Sequence, residues 1–325
     1  MLNTALRYFL EVVNAGSLTE AAHKLHVAPS AISRMIRKLE DEHRTHLFER
    51  HARGMLLTEA GELLASYARR THLEAERTRT EISELAHLGQ KLIKVSANQA
   101  FSTELLPSVM GEFVKEEPLV RFQLNVLQSA EINSRIRKGE DDLGLSYNLS
   151  PPQGVQVRYA RRMPLFAIMT VDHPLAARKT LHMRDIGSFP VVLMGPGSTL
   201  RFIVDLCCMH EKVTLNVALV SNHQAAIHNF CRETGAVGFS GDRTLMGSVR
   251  RRELVAVPII DELSQQRTLH IQTFEGRVLP TSVDRFMQAV IRRIESLYGS
   301  DGQGVRPHAG SDPAQTDLGS DPIRV

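Results

Sequence analysis

Between positions 29 and 41 a helical pattern leaves Ser30, Ser33, Arg34, Arg37 and Lys38 on one side and Ile32, Ile36 and Leu39 on the other. Small hydroxyls beside guanidinium groups are the chemistry of nucleic-acid reading. An Arg fork donates two parallel hydrogen bonds to a guanine edge, and Ser approaches a base edge or a phosphate closely. Arg37 and Lys38 are equally what a solvated helix face carries. Further on, residues 51–58 read as a β-hairpin wing with Arg53 near its tip, where a cation reaches phosphates or the minor groove. Charge supports this locally. Residues 23–53 hold seven Lys and Arg against four Asp and Glu, with five His besides, while the whole chain carries a net charge of only +3.

A second set of residues suits anion binding. Phe101-Ser102-Thr103, Gln128-Ser129, Gly197-Ser198-Thr199 and Ser221-Asn222-His223 each precede a helical pattern. Each offers a side-chain oxygen and backbone N–H groups at a helix start, the positive end of the helix dipole. Ser102, Thr103, Ser129, Ser198, Thr199, Asn222 and His223 are therefore candidate ligand contacts. Asn98, Gln99 and Tyr147 are further candidates, and Arg201 or His223 would add charge. An ordinary N-cap looks the same.

Catalytic chemistry is not indicated. The chain has no Gly-rich phosphate loop, no HExxH, no CxxC and no GxSxG string. Its 14 His are scattered without metal-ligand spacing, so no catalytic residue, metal or cofactor is expected. The three Cys (Cys207, Cys208 and Cys231) are an odd number that argues against a disulfide framework and for a reducing cytoplasm. They read as inert core thiols. No apolar run is long enough to span a membrane, and the first residues do not read as a signal peptide.

The elements that must position these residues follow from periodicity. Residues 4–15 place Leu6, Phe9, Leu10 and Val13 on one helical stripe, ended by Gly16. Ser17 with Glu20 three residues later is a capping box that opens a helix over 18–25. The turn 26–28 is too short for anything but a tight reversal, and Pro29 suits the first position of the next helix. Two short helices, a tight turn and a polar second helix make a helix-turn-helix. Residues 58–88 form one helical run of about 45 Å. Leu64, Ala68, Thr71, Ala75, Thr78, Ile82 and Leu85 follow coiled-coil spacing along it, so a dimer is expected.

From 92 to 298, apolar strands alternate with amphipathic helices in two series of similar plan, which predicts parallel sheets covered by helices. Helices are expected at 103–117, 130–138, 199–209, 223–234 and 282–298, and a strand at 267–273 returns toward the first series. Ligands of such domains bind where helix starts meet at a sheet edge. Residues 299–325 are rich in Gly, Ser, Asp and Pro and read as a disordered tail.

Phe9, Ala15-Gly16-Ser17-Leu18-Thr19, Ala21-Ala22, Leu25, Ala31-Ile32-Ser33, Ile36, Leu39-Glu40, Leu47-Phe48, Arg50 and Leu57-Thr58-Glu59-Ala60-Gly61 together resemble the N-terminal signature of LysR-type transcriptional regulators. Weaker strings continue the resemblance to about residue 298: Glu104-Leu105-Leu106-Pro107, Lys138-Gly139-Glu140-Asp141-Asp142-Leu143-Gly144-Leu145 and Asp172-His173-Pro174-Leu175. The resemblance implies an α plus α/β chain. A winged helix-turn-helix (1–58) is followed by a linker and dimerisation helix (59–89) and a periplasmic-binding-protein-like effector domain (90–298). Subdomain I would take about 90–161 and 268–298, and subdomain II about 162–267. Ser30, Ser33, Arg34 and Arg53 match positions that touch DNA in that family. The implied partners are an operator of dyad symmetry, a small organic effector that is anionic by the helix-start argument, a second copy and then a dimer of dimers, with RNA polymerase a further candidate. Two features depart from the family pattern. His43-Arg44 stands where Leu-Gly is usual, which is expected to change the turn or add a phosphate contact. Pro29 stands where a DNA-contacting Gln is common, which shifts operator reading toward Ser33 and Arg34.

Overall fold

The computed structural model describes residues 3–51, 54–85, 91–241 and 253–298. Arg53 and the predicted tail at 299–325 lie outside them. Among the described residues no helix is long and apolar enough to cross a membrane.

The N-terminal unit packs α1 (Thr4–Ala15), α2 (Leu18–Leu25) and α3 (Pro29–His43) around Phe9, Val12, Ala21, Ile32, Ile36 and Leu39. Phe9 is fully buried with its ring 5.2 Å from that of Phe48. A buried Phe is worth about 1.5–3 kcal/mol relative to an exposed one. Asn3 caps α1, Gly16 closes it in the left-handed region (φ 67°), and Ser17 caps α2 by accepting from the Glu20 amide. β1 (Phe48–His51) and β2 (Gly54–Leu57) form the antiparallel wing. The Met55 amide donates to the Gly16 carbonyl at 3.0 Å and so ties the wing to the end of α1.

The unusual Arg44 does not divert the chain. It ends α3 in the left-handed conformation (φ 51°), with its amide on the Asp41 and Glu40 carbonyls. Glu40 then turns back to accept from the Leu47 amide at 2.9 Å. The turn that Gly would make freely is thus made by a residue with a Cβ, at a cost of about 1 kcal/mol.

α4 (Glu59–Leu85) starts from a close approach. Thr58 Oγ1 donates to the His46 carbonyl (2.7 Å) and accepts from the Gly61 amide (3.0 Å). A Cβ on Gly61 would lie 2.1 Å from the Leu47 carbonyl oxygen, so only glycine lets α4 sit there. Leu64 and Ala65 then join the helix-turn-helix core, and Ala68 is fully buried within the chain. The predicted coiled-coil seam is corrected accordingly. Of its first positions Ala68 is buried and Leu64 half-buried within the chain, while among the described residues of α4 the exposed large apolar side chains are Leu63 (71%), Tyr67 (51%) and Ile82 (61%), the last a predicted seam position.

Two five-stranded layers follow the same plan. In the first, β4 (Val120–Val126), β3 (Lys91–Ala97) and β5 (Leu143–Asn148) run parallel, then β12 (Thr268–Phe274) and β6 (Val155–Arg162) complete the order β4-β3-β5-β12-β6. In the second, β9 (Asn216–Ser221) and β8 (Pro190–Met194) are parallel. A parallel bridge, Val191 to Val237, joins them to β10 (Gly238–Ser240), β7 (Leu165–Thr170) and β11 (Leu254–Ile259). The sheets are therefore mixed rather than parallel. β12 is antiparallel to β5 and β6, and β7 to β10 and β11. β7 and β12 are the strands that follow a crossing between the two layers, and each enters its new sheet running against its neighbours. Helices α5 (Gln99–Ser102), α6 (Leu105–Glu116), α7 (Ser129–Lys138) and α11 (Thr281–Tyr298) belong to the first layer. α8 (Met183–Ile186), α9 (Thr199–Glu211) and α10 (Gln224–Thr234) belong to the second. The helix expected at 103–117 is present as α6 but starts at Leu105, because Thr103 caps the end of α5.

α5, α6 and α11 cover an apolar face of the first sheet through Phe101, Leu106, Phe113, Phe286 and Val290. α7 seats on the sheet through fully buried Ile132 and Ile136, with a polar cluster beside them. Asn133 donates to Asn148 Oδ1 (3.0 Å) and accepts from Gln272 and Ser146, and Asn148 Nδ2 lies 3.3 Å from His270 Nδ1. Burial holds the His270 imidazole neutral by lowering its pKa to about 4.

Two outcomes are expected. Arg44→Gly raises the denaturation midpoint, worth about 1 kcal/mol, because glycine adopts the left-handed cap without strain; an unchanged or lower midpoint contradicts the strained cap. The second concerns pH. A buried histidine with a lowered folded pKa makes the unfolded chain the better proton acceptor. Its contribution is intact above about pH 6.5 and lost as pH falls toward 4, at roughly 1.4 kcal/mol per unit. His270→Gln flattens that part of the stability profile measured by urea unfolding. Parallel profiles for the two proteins would show that His270 does not carry it.

Candidate functional site

On the DNA side, α3 presents Ser30, Arg34, Arg37 and Lys38 to solvent, with Ser33 half-buried beside them. Pro29 occupies the first turn and the Ala28 cap offers no side-chain acceptor, so the start of α3 is set by proline's fixed φ. Ile32, Ile36 and Leu39 anchor the opposite face in the core. Their spacing therefore fixes which residues point outward. Of the five residues expected at DNA, four lie on this helix and the fifth, Arg53, lies outside the described residues.

Between the two layers lies a cavity of about 350 Å³. The first layer contributes Asn98, Gln99, Ser129 and Tyr147 to it, and the second Ser198, Thr199, Asn222, His223 and Gln224. A larger groove of about 490 Å³ runs between α6 and α11. The ion pair of Arg293 with Glu112 lies along it, and the first-turn residue of α11 that lines it is the carboxylate Asp284. The smaller cavity is the better site because three helices begin at its wall.

Those starts differ in how they are satisfied. α9 is capped by Ser198, whose Oγ accepts from the Leu200 amide at 3.2 Å. α7 begins at Ser129 without a side-chain cap from Gln128. Ser129 Oγ sits 2.8 Å from the Tyr147 carbonyl and 3.1 Å from Asn98 Oδ1, which accepts in turn from the Tyr147 amide. The Ser129 proton is thus held by the protein, and what α7 offers a ligand is its backbone. α10 follows His223 and lacks a side-chain cap of its own. Its Gln224 amide donates to Gln99 Oε1 at 3.1 Å, a bond that crosses from one layer to the other.

Three sequence candidates fall elsewhere. Ser102 and Thr103 do not line the cavity, and Ser102 Oγ donates to the Gln99 carbonyl at 2.9 Å. They close the single turn of α5 rather than open a helix. Arg201 does not line it either; its Nε binds both Asp205 oxygens at 2.8 Å. The cation in the wall is one that sequence reasoning missed. Arg267 precedes β12, is 5% exposed, and holds its guanidinium carbon 3.7 Å from the Tyr147 ring centroid. Its only sequence signal was a charge at the start of a crossing strand.

The three thiols are removed from chemistry by burial, which pushes Cys207 and Cys231 to about 12 and Cys208 to about 11. Among the described residues no group of three or more His, Cys, Asp or Glu side chains could hold a metal ion.

Comparison with known proteins converges on one family. A bacterial regulatory helix-turn-helix model of the lysR family matches residues 4–62, and a LysR substrate binding domain model matches 67–295. An uncharacterized HTH-type transcriptional regulator of Bacillus subtilis is 26% identical over 287 residues, covering 88% of this chain and 97% of its own. The CysB regulator of Haemophilus influenzae is 27% identical over 72% of this chain and 73% of its own. Among solved structures, a full-length OxyR from Pseudomonas aeruginosa has a TM-score of 0.61 at 20% identity, over 92% of this chain and 96% of that one. CbnR in complex with its target DNA has a TM-score of 0.52 at 20% identity, over 90% and 100%. With a helix-turn-helix ahead of a two-layered cleft domain, and a family model spanning most of its length, the chain belongs to the LysR family of transcriptional regulators.

Proposed function

We propose that this regulator reads a two-fold operator through Ser30, Ser33, Arg34 and Arg37, with Arg53 on the wing, and is switched by a small anionic effector held between its two layers. The observation that carries the effector reading is the meeting of the starts of α7, α9 and α10 at one cavity. A helix start presents N–H groups without intrahelical partners, and several aimed at one space favour negative charge. No cofactor or metal takes part in this reading.

A dimer is part of the proposal. A two-fold operator needs paired recognition helices one DNA turn apart. The exposed Leu63, Tyr67 and Ile82 of α4 supply an apolar face for a second copy. A dimer of dimers in the cytoplasm, with RNA polymerase as a further partner, completes the reading.

Operator reading is tested by selecting bound fragments from sheared genomic DNA and footprinting the tightest one. Arg34→Ala is expected to lose about 1–3 kcal/mol of specific affinity, some fivefold to over a hundredfold, with the fold intact by circular dichroism. Unchanged footprinting would remove Arg34 from the reading face. A sensor working by thiol chemistry would need a thiolate near neutral pH. With folded pKa values of about 11–12, the three thiols stay protonated at pH 7. Native protein should react with a disulfide reagent far more slowly than denatured protein. Rapid labelling of any Cys in the native state would reopen the redox reading.

A further inference from the structure

Two residues of the reading helix also open onto a recess of their own. Between α3 and the wing lies a groove of about 220 Å³ whose polar wall is Ser33, Arg37, Glu40 and His46, over a floor that includes Phe48 and Met55. Ser33, Arg37 and Glu40 stand at i, i+4 and i+7, so they share one stripe of α3. The stripe ends on a carboxylate, which repels the phosphate backbone of a duplex lying along it. Glu40 cannot simply turn away. Its Oε1 accepts from the Leu47 amide at 2.9 Å and so holds the turn into β1.

His46 answers that charge. Its Nδ1 is 3.7 Å from Glu40 Oε1, while the side chain is 88% exposed. The backbone beneath it is fixed, because the His46 carbonyl accepts from Thr58 Oγ1 at 2.7 Å. A protonated imidazole donates from both ring nitrogens. With Nδ1 toward Glu40, Nε2 is left for an acceptor outside the protein. Among the described residues, Arg37 and Glu40 are the charged side chains that share the groove with His46. His43 and Arg44 precede it on the loop, Glu49 follows on β1 and Glu59 opens α4, while α2 and β2 contribute the uncharged Leu18 and Met55.

Resting on the reading of α3 as the operator-facing helix, we infer that His46 is a titrating phosphate contact: its protonated ring offsets Glu40 and donates from Nε2 to the DNA backbone, so that operator binding takes up a proton. A duplex read by Ser33 and Arg37 brings its backbone past the mouth of the groove that His46 lines. Histidine is the side chain whose charge ordinarily changes near neutral pH. A ring between a carboxylate and a phosphate keeps its proton to higher pH than a ring in water. Affinity is therefore greatest at low pH and falls as pH rises. Because the contact is to phosphate, it strengthens every sequence alike.

The test uses the full chain, the tightest selected genomic fragment and a random-sequence duplex of equal length. Affinity is measured between about pH 6.5 and 8.5, where the stability contribution of His270 is intact. Native protein is expected to bind both duplexes roughly fivefold or more weakly at the upper pH, since one fully linked proton gives about tenfold per pH unit. His46→Gln should match native protein at high pH and lack its gain at low pH, where its salt slope is smaller by about 0.9. His46→Arg, with a permanent charge, should bind tightly at both ends of the range. His43→Gln should keep the native profile. Circular dichroism verifies that each variant folds. Parallel pH profiles for native protein and His46→Gln, or equal salt slopes at low pH, overturn the assignment of His46. So does a pH dependence lost in His43→Gln instead. A native affinity that does not change with pH overturns proton uptake. Arg34→Ala separates the two readings: normal footprinting by that variant removes the reading of α3, whereas lost footprinting beside parallel pH profiles removes His46 alone.

Discussion

A helix cannot satisfy its own first amides, and this domain places three helix starts around one cavity. That constraint organises the rest of the cleft. α9 answers it locally through Ser198. α10 answers it through the other layer, by the bond from the Gln224 amide to Gln99 Oε1. The second solution matters more, because it joins the two layers with a neutral acceptor at the place where an anion would be favoured. A charged acceptor makes a hydrogen bond roughly twice as strong as a neutral one. On the proposed effector reading, an acid that enters would compete with Gln99 for the same donor and change what holds the layers together. A ligand shifts a conformational equilibrium only by its differential affinity for the two states. Replacing an intramolecular bond across a hinge is one physical source of such a difference.

How much of this was legible in the sequence depended on how local each signal was. The helix-turn-helix was readable almost residue by residue. Its caps, its tight turn and Pro29 act over a few positions, and α1 runs over the residues its periodicity predicted. Arg44 taught the reverse lesson. Its departure from the family pattern suggested a different turn, yet the packing of Ile36, Leu39 and Leu47 and the Glu40 bond to Leu47 impose the same left-handed end. In the effector domain, strands with plain apolar runs were found, and two edge strands were not. β6 reads as charged and β11 contains Pro258, which an edge strand tolerates and a central strand does not. Helix starts at Ser129, Ser198 and His223 were visible as caps. The misplacement of Ser102 and Thr103 came from starting the helix at 103, two residues before α6 begins, and from missing the single turn of α5 that they close. Arg267 was invisible as a site residue, because its neighbours Tyr147 and Gly241 are far from it in sequence and only the crossing of the chain brings them together.

The cleft and the DNA-reading face are connected through packed elements rather than through a flexible tether. α7 begins at the cavity with Ser129 and ends, about 15 Å away, at Gly139. There a Cβ would lie 3.1 Å from a Leu73 methyl of α4. Leu73 is buried against this end of the domain, and Arg69, one turn earlier, lies within the fields of Arg137 and Glu140. From there α4 runs back through Ala68 and Ala65 into the helix-turn-helix core, where Gly61 lets it sit directly on the Leu47 carbonyl. Each joint in this series is a close contact between rigid elements, and α7 itself seats on its sheet through buried Ile132 and Ile136 beside a polar cluster of Asn133, Asn148, Ser146 and Gln272. Close-packed apolar interfaces resist small displacements because every contact is lost together. A displacement at the first turn of α7 is accordingly passed on to its Gly139 end rather than absorbed at its sheet. On the proposed reading, an effector bound at its first turn would act at one end of a lever whose other end already touches the helix that carries the helix-turn-helix.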